Sequence, residues 1–199
     1  MKLLIASDIH GDYEWASKLM KVFEEGGYAK LLLLGDILYH GPRNEIPSGY
    51  HVKKTYELLN QYKDRIICVK GNCDSEVDQM VLDFDISKES RGMWVDEHRF
   101  HLTHGHRDHK KNLPWLFEGD VYIQGHTHQG VLEVQDGVLM VNPGSVSIPK
   151  DGHHSYVTYE DNTFTLKDFS GQVLKELTYE KNSASHDAQF QTLWLADES

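Results

Sequence analysis

The sequence predicts an α/β fold built from two mixed sheets flanked by helices. Three short strand-like runs, at Leu3–Ala6, 31–34 and 65–69, alternate with two stretches of helical periodicity, at Tyr13–Glu25 and 51–62. Beyond Gly92 the pattern changes to short strands joined by tight turns, with more apolar–polar alternation. The first pattern suits parallel strands joined by right-handed crossovers, and the second suits a separate, mixed sheet.

Taken in order, Leu3–Ala6 runs into Ser7-Asp8-Ile9-His10-Gly11-Asp12. Asp8 and His10 are two apart and project to one side of an extended backbone, while Asp12 suits a helix N-cap. Trp15, Leu19, Val22 and Phe23 repeat at helical spacing until Gly26-Gly27. Residues 31–34 form a second buried strand ending on Gly35-Asp36, and 39–49, rich in Gly and Pro, read as a loop. Residues 51–62 place Tyr56, Leu59 and Tyr62 on one helical side, and 65–69 form a third strand ending on Gly71-Asn72-Cys73-Asp74. Residues 92–96 and 99–104 read as a hairpin, 120–124 as a short strand, and 131–135 and 138–142 as a hairpin about Asp136-Gly137. Ser155–Glu160, residues 163–169 after the Asp161-Asn162 turn, and 172–180 complete the series. Residues 1–181 read as one domain. The tail 182–199, with Phe190, Leu193, Trp194 and Leu195, reads either as disordered or as a short docking segment.

Composition narrows the function. The 199 residues are enough for one domain with a substantial core, and 39% hydrophobic with 26% charged residues is the balance of a soluble globular chain. A formal charge of -11 excludes broad binding to large nucleic acids, which needs a basic surface. It leaves room for a small phosphorylated substrate if divalent cations reverse the local field. No apolar run approaches a membrane span, and Met1-Lys2 leads straight into the first strand, so a cytoplasmic protein is expected. Cys68 and Cys73 are the only cysteines and form no CxxC pair.

The chemistry falls at the strand ends. Asp8 with His10, Asp36, Asn72, His104, and His126 with His128 each lie at or just past a predicted strand, beside Gly11, Gly35, Gly71, Gly105 and Gly125. One such coincidence is an ordinary turn, but turns do not require Asp, Asn or His at five apexes of one chain. Seven oxygen and nitrogen donors exceed the needs of one ion and suit two ions sharing a carboxylate, with Asp36 as the natural bridge. Imidazole, carboxylate and amide without thiolate favour Mn, Fe, Zn or Co. Two ions so held acidify a bound water and stabilise the entering and leaving oxygens of an in-line displacement, which is phosphate-ester hydrolysis.

Asp8-Ile9-His10, Gly35-Asp36-Ile37-Leu38-Tyr39-His40-Gly41, Gly71-Asn72-Cys73-Asp74, Thr103-His104-Gly105-His106 and Gly125-His126-Thr127-His128, in that order, resemble the motif set of calcineurin-like metallophosphoesterases. Gly41-Pro42-Arg43-Asn44, the stretch from Gly71 to Met80 and the stretch from Asn142 to Lys150 resemble its small bacterial and archaeal phosphodiesterases of the YfcE type. The resemblance implies a four-layer αββα sandwich with a dimetal centre on loops at one edge. It implies Asp8, His10, Asp36 and His128 on one ion, and Asp36, Asn72, His104 and His126 on the other. Mn heads the candidate metals, with Zn, Fe, Co and Ni also suited. The reaction implied is hydrolysis of a small phosphodiester by a metal-bridging hydroxide, with Asn72 and His104 helping to position the ester. A phosphomonoesterase and a protein-interaction scaffold, as in a retromer subunit of similar fold, are the alternatives; homo-oligomerisation is a family expectation.

Most of the family has His where this chain has Cys73. A thiol is a poorer proton donor, so Cys73 reads either as a catalytic substitution favouring diesters or as a small filler beside the metals. Arg43 reads as a phosphate clamp or as solvent-facing, and His40 as substrate-facing or supporting Asp36. His106 reads as a support to His104 or as exposed. His98, His101, His109, His153 and His154 are expected at the surface. Asp74 either hydrogen-bonds near Cys73 or caps a following helix, and Asn142-Pro143-Gly144-Ser145 is expected as a structural turn beneath the site.

Overall fold

The computed structural model describes residues 1–107 and 115–180. The strands are β1 (Leu3–Ala6), β2 (Lys30–Leu33), β3 (Ile66–Cys68), β4 (Ser90–Val95), β5 (His98–Thr103), β6 (Val121–Ile123), β7 (Gly130–Gln135), β8 (Val138–Pro143), β9 (Ser155–Glu160), β10 (Thr163–Asp168) and β11 (Val173–Thr178). The helices are α1 (Tyr13–Glu25), α2 (Val52–Asn60) and α3 (Glu76–Gln79).

The strands form two mixed sheets, ordered β11-β10-β9-β1-β2-β3 and β4-β5-β6-β8-β7. β1, β2 and β3 run parallel, as do β5, β6 and β8. One expectation needs correcting: β9–β11 do not join the second sheet but return to the first, where β9 pairs antiparallel with β1. Hairpin pattern alone does not say which sheet a hairpin extends. Strand β9 is buried along most of its length, as a strand between two others requires.

The continuous apolar runs of β1 and β2 serve two cores at once. Leu4, Ala6, Leu31 and Leu33 pack with Leu19, Met20 and Phe23 of α1. Leu3, Ile5, Leu32 and Leu34 face Phe100, Leu102, Val121, Ile123 and Val141 of the other sheet. That gives helix, sheet and sheet as successive layers, and among the described residues no helix covers the outer face of the second sheet. Residues 108–114, including His109, and the tail 182–199 lie outside the described residues.

Asp12 caps α1 by accepting from Trp15 N at 3.0 Å. Helix α2 is shorter than its apolar spacing predicts. His51 caps it, and the Asn60 side chain leaves the helix to bind Val81 O and Asp83 N. The cap of α3 is Ser75 in a capping box with Asp78, not Asp74. No described helix is long and apolar enough to cross a membrane. The carboxyl ends of the parallel strands from both sheets meet at one edge, where open α/β folds commonly build sites.

Candidate metal centre

The loops after β1, β2, β3, β5 and β6 converge at that edge. Nine described non-glycine residues have positive φ; four lie in hairpin turns, and the other five are Asp8, His10, Asp36, His126 and His128. Left-handed backbone costs an L-residue about 1 kcal/mol or more, least for Asp, Asn and His. Five such residues in one place show a surrounding structure that holds them there. The Asp8 carbonyl accepts from Ser145 Oγ at 2.9 Å and Ser147 Oγ at 3.1 Å. Asn142 Nδ2 donates to Gly125 O at 2.8 Å and to Thr127 Oγ1 at 3.0 Å. The Asn142-Pro143-Gly144-Ser145 turn therefore braces the loops of both Asp8 and His126, beneath the site.

Asp74 ties two other loops together. Its buried carboxylate accepts from Asp36 N at 2.9 Å, Ile37 N at 2.8 Å and Gly71 N at 2.7 Å. Burial pushes its carboxyl up to about 6, against the pull of those backbone N–H groups. Gly71 is required for the same approach, because a Cβ there would collide with the Asp36 carboxylate and backbone nitrogen.

The side chains converge as two overlapping groups. In the first, Asp8 Oδ1 lies 3.2 Å from His128 Nε2 and 3.6 Å from His10 Nε2. In the second, His104 Nε2 lies 3.3 Å from Asp36 Oδ2 and 3.0 Å from Asn72 Oδ1. The His126 ring stands 5.0 Å from that of His104. Asp36 Oδ2 also lies 3.8 Å from His10 Nε2, so Asp36 faces both groups. All seven donors expected from the sequence therefore meet at one edge of the fold.

The arrangement fits divalent cations on three observations. First, His10, His104 and His128 each turn Nδ1 to a backbone carbonyl, of Tyr39, Leu34 and Ile148 respectively, at 2.8, 2.7 and 2.8 Å. An Nδ1–H donated to a carbonyl leaves the Nε2 lone pair aimed inward, as metal-ligating imidazoles require. Second, Asp8 Oδ1 is buried without a hydrogen-bond partner among the described residues, while Oδ2 accepts from His126 N at 3.0 Å. Third, the hard-to-borderline oxygen and nitrogen donors group as Asp8, His10 and His128 and as Asp36, His104 and His126, the atoms of each group lying within 4.8 Å of one another.

Charge in the cluster is held by mutual pairing. Burial raises Asp8 and Asp36, but the nearby rings of His10, His104 and His128 hold Asp8 far below the carboxylate range, and His104 lowers Asp36. Burial likewise lowers His104, and Asp36 and Asp8 reverse this, carrying it to about 9. His126, half-buried and facing His104, is lowered.

The other polar residues singled out in the sequence take distinct places around the cluster. Cys73 Sγ lies within 4.8 Å of donor atoms of both His10 and Asp36, so a thiol belongs to the candidate donors after all. Burial, followed by repulsion from Asp36, pushes that thiol well up, so in the metal-free protein it is protonated. His40 packs edge-on against Tyr39 and Tyr50, away from the open cavity, whereas Arg43 lines it. His106 is neither fully exposed nor bound to His104; its ring lies 5.5 Å from that of His104, and its Nε2 lies 4.0 Å from Glu89. His98 is buried rather than exposed, with Nδ1 at 3.0 Å from Gly119 O and its ring stacked on Tyr179. His154 stacks on Trp15 at 3.7 Å.

A cavity of about 930 Å³ opens above the cluster, walled by Tyr39, Arg43 and Asn44 on the loop after β2, and by Thr127, Gln129 and Lys150. Lys150 ends the Asn-Pro-Gly-Ser-Val-Ser-Ile-Pro-Lys stretch that carries the resemblance, but its place on the cavity wall has no local sequence signal.

Comparison with known proteins agrees with this geometry. The family description "calcineurin-like phosphoesterase superfamily domain" matches residues 1–163. Phosphodiesterase YfcE of Escherichia coli K12 is 45% identical over 162 residues, covering 81% of this chain and 88% of that one. The solved structure of E. coli YfcE, described as a phosphoesterase, superposes with a TM-score of 0.88 at 40% identity, covering 90% of this chain and all of that one. Zinc-complexed Vps29 of Entamoeba histolytica shares the fold at 20% identity, with a TM-score of 0.61 over 90% of this chain and 100% of that one. The chain belongs to the calcineurin-like phosphoesterase superfamily, and it is a metal-dependent hydrolase of phosphoesters.

Proposed function

We propose that the chain hydrolyses small phosphodiesters at a dinuclear centre, with Asp36 shared between two divalent ions. The observation that carries this reading is the position of Asp36, which faces His10 on one side and His104 on the other while both rings aim Nε2 at it. Asp8, His10 and His128 complete one ion's donors, and Asn72, His104 and His126 the other's. Two divalent cations there supply positive charge to the phosphoryl oxygens and a water acidified enough to attack at neutral pH. Mn is the first choice among metals, because the donors are carboxylate, amide and imidazole with at most one protonated thiol. Fe, Zn, Co and Ni are accommodated by the same set.

The chain's own residues hold and orient. Asn72 Oδ1 lies 3.0 Å from His104 Nε2, where both atoms can meet one cation, and its Nδ2 donates to Cys73 Sγ at 3.2 Å, which fixes the amide plane at the cavity floor. Asn72 and His104 thereby place the ester for in-line displacement, in which water adds to phosphorus as the bond to the leaving oxygen breaks. Residues 1–181 act as one catalytic unit in this reading, in the cytoplasm, on small substrates.

The test is turnover of paired mono- and diesters with one leaving group, after chelation and Mn reconstitution. Faster diester hydrolysis, lost on chelation and restored by Mn, is expected. Preference for the monoester would make the enzyme a phosphomonoesterase, and no hydrolysis after reconstitution would overturn the proposal.

A further inference from the structure

The cavity is larger than the scissile phosphate requires. At about 930 Å³ it is in the range that encloses whole small molecules. Among the described residues its only carboxylates, Asp36 and Asp74, are buried in the floor, at 2% and 6% exposure. Its open wall carries two bases, Arg43 and Lys150, both exposed.

Among the described residues these two bases lie together on the cavity wall without a counter-charge. In a chain of 31 acidic and 20 basic residues, counter-charges are abundant, and Lys2, Lys63, Arg91 and Arg99 all face carboxylates. Arg43 and Lys150 make no side-chain ion pair or hydrogen bond among the described residues. The carboxylate next to Lys150 is already committed, since Asp151 accepts from Gly130 N at 2.7 Å and from His153 N at 3.1 Å. Both bases start from fixed backbone. Lys150 N donates to His128 O at 2.9 Å, which roots that side chain beside the cluster. The Arg43 loop is held by Asn44 Nδ2 donating to His40 O at 2.8 Å. A half-exposed aromatic ring, Tyr39, shares the wall.

We propose that Arg43 and Lys150 bind a second anionic group, phosphoryl or carboxylate, carried on one arm of the diester substrate. This rests on the phosphodiesterase reading above, in which the ions on the floor take the charge of the scissile phosphate and leave the wall cations for another group. An Arg fork holds such a group bidentately, and a Lys adds an adaptable point charge. The preferred substrate is thus a small diester bearing an extra negative charge, rather than one with two neutral arms.

The test uses three 4-nitrophenyl diesters with the Mn-loaded protein, their second arms being propyl, 2-carboxyethyl and 2-phosphonoethyl. The wild type is expected to show higher kcat/KM for the charged arms, and the advantage falls as salt is added. Lys150→Gln and Arg43→Gln are each expected to lower the charged-to-propyl ratio by about fivefold, through KM rather than kcat. Calorimetric binding of the matching non-hydrolysable methylphosphonate esters is expected to weaken by the same factor. An advantage confined to the phosphonoethyl arm assigns the wall to a phosphoryl group, and an equal one for carboxyethyl assigns it to anions in general. A ratio and binding constants unchanged in both variants would overturn the proposal. Failure of the wild type to hydrolyse any of the three would instead overturn the phosphodiesterase reading beneath it.

Discussion

The Nε2 atoms of His10 and His128 face each other at 3.4 Å, and neither ring is free to turn away. Each Nδ1 is anchored 2.8 Å from a main-chain carbonyl, so two neutral rings would oppose lone pair to lone pair. A proton between them relieves that opposition, and so does a cation that also meets Asp8 Oδ1. Protons and metal therefore compete for the same atoms.

That competition fixes a pH dependence. In the metal-free protein His104 titrates at about 9, above its ordinary 6.5, because Asp36 and Asp8 outweigh the effect of burial. A raised histidine pKa contributes stability that is full below 6.5 and lost as pH rises through 9. Metal binding needs the ring neutral, so loading releases protons below that pH. The metal-free protein is expected to lose melting temperature between those two values, while apparent metal affinity rises over the same window. Melting curves in chelator, with metal titrations in buffers of different ionisation enthalpy, check both halves. Affinity independent of pH would contradict the account.

Asp74 is the residue whose loss should loosen the site without removing a donor. In Asp74→Asn one of the three backbone N–H groups faces an amide NH₂ instead of an oxygen. An unsatisfied buried donor costs about 2 kcal/mol, which for a chain of this size lowers the melting temperature by roughly 4–8 °C. Metal affinity is expected to fall as well, because Asp36 and the Gly71–Asn72 loop lose their common tie. Denaturant unfolding of the metal-free variant measures the first effect, and calorimetric metal titration the second.

Cys73→His tests the leaving-group side of the reaction. Burial and Asp36 raise the thiol pKa, so it gives up a proton poorly. An imidazole at that position donates one near neutral pH. The variant is expected to gain monoester turnover relative to diester turnover, most for poor leaving groups. An unchanged ratio would reduce Cys73 to a filler.

Much of this was legible in the sequence because the donors sit at chain positions that pattern makes visible. Leu3–Ala6 and the run ending at Leu33 are apolar at every buried position, so the strand ends, and with them Asp8, His10 and Asp36, could be placed. The pairing of β9 with β1 was not legible, since a hairpin carries its own register but no address. Nor was the burial of His98, whose Nδ1 meets a carbonyl 21 residues away. Both sequence readings of Asp74, a hydrogen bond near Cys73 or a helix cap, are local, whereas its bonds to Asp36 and Ile37 span 38 and 37 residues. The proximity of Cys73 to His10 is of the same kind.

The central claim is that two ions share Asp36, and metal binding to the wild type and to Asp36→Asn tests it most directly. Manganese titration followed by electron paramagnetic resonance is expected to show two ions per wild-type chain with exchange-coupled spectra. In Asp36→Asn both the second equivalent and the coupling are expected to disappear, with turnover nearly abolished. One uncoupled ion per wild-type chain, or a variant that keeps two coupled ions and full activity, would contradict the account.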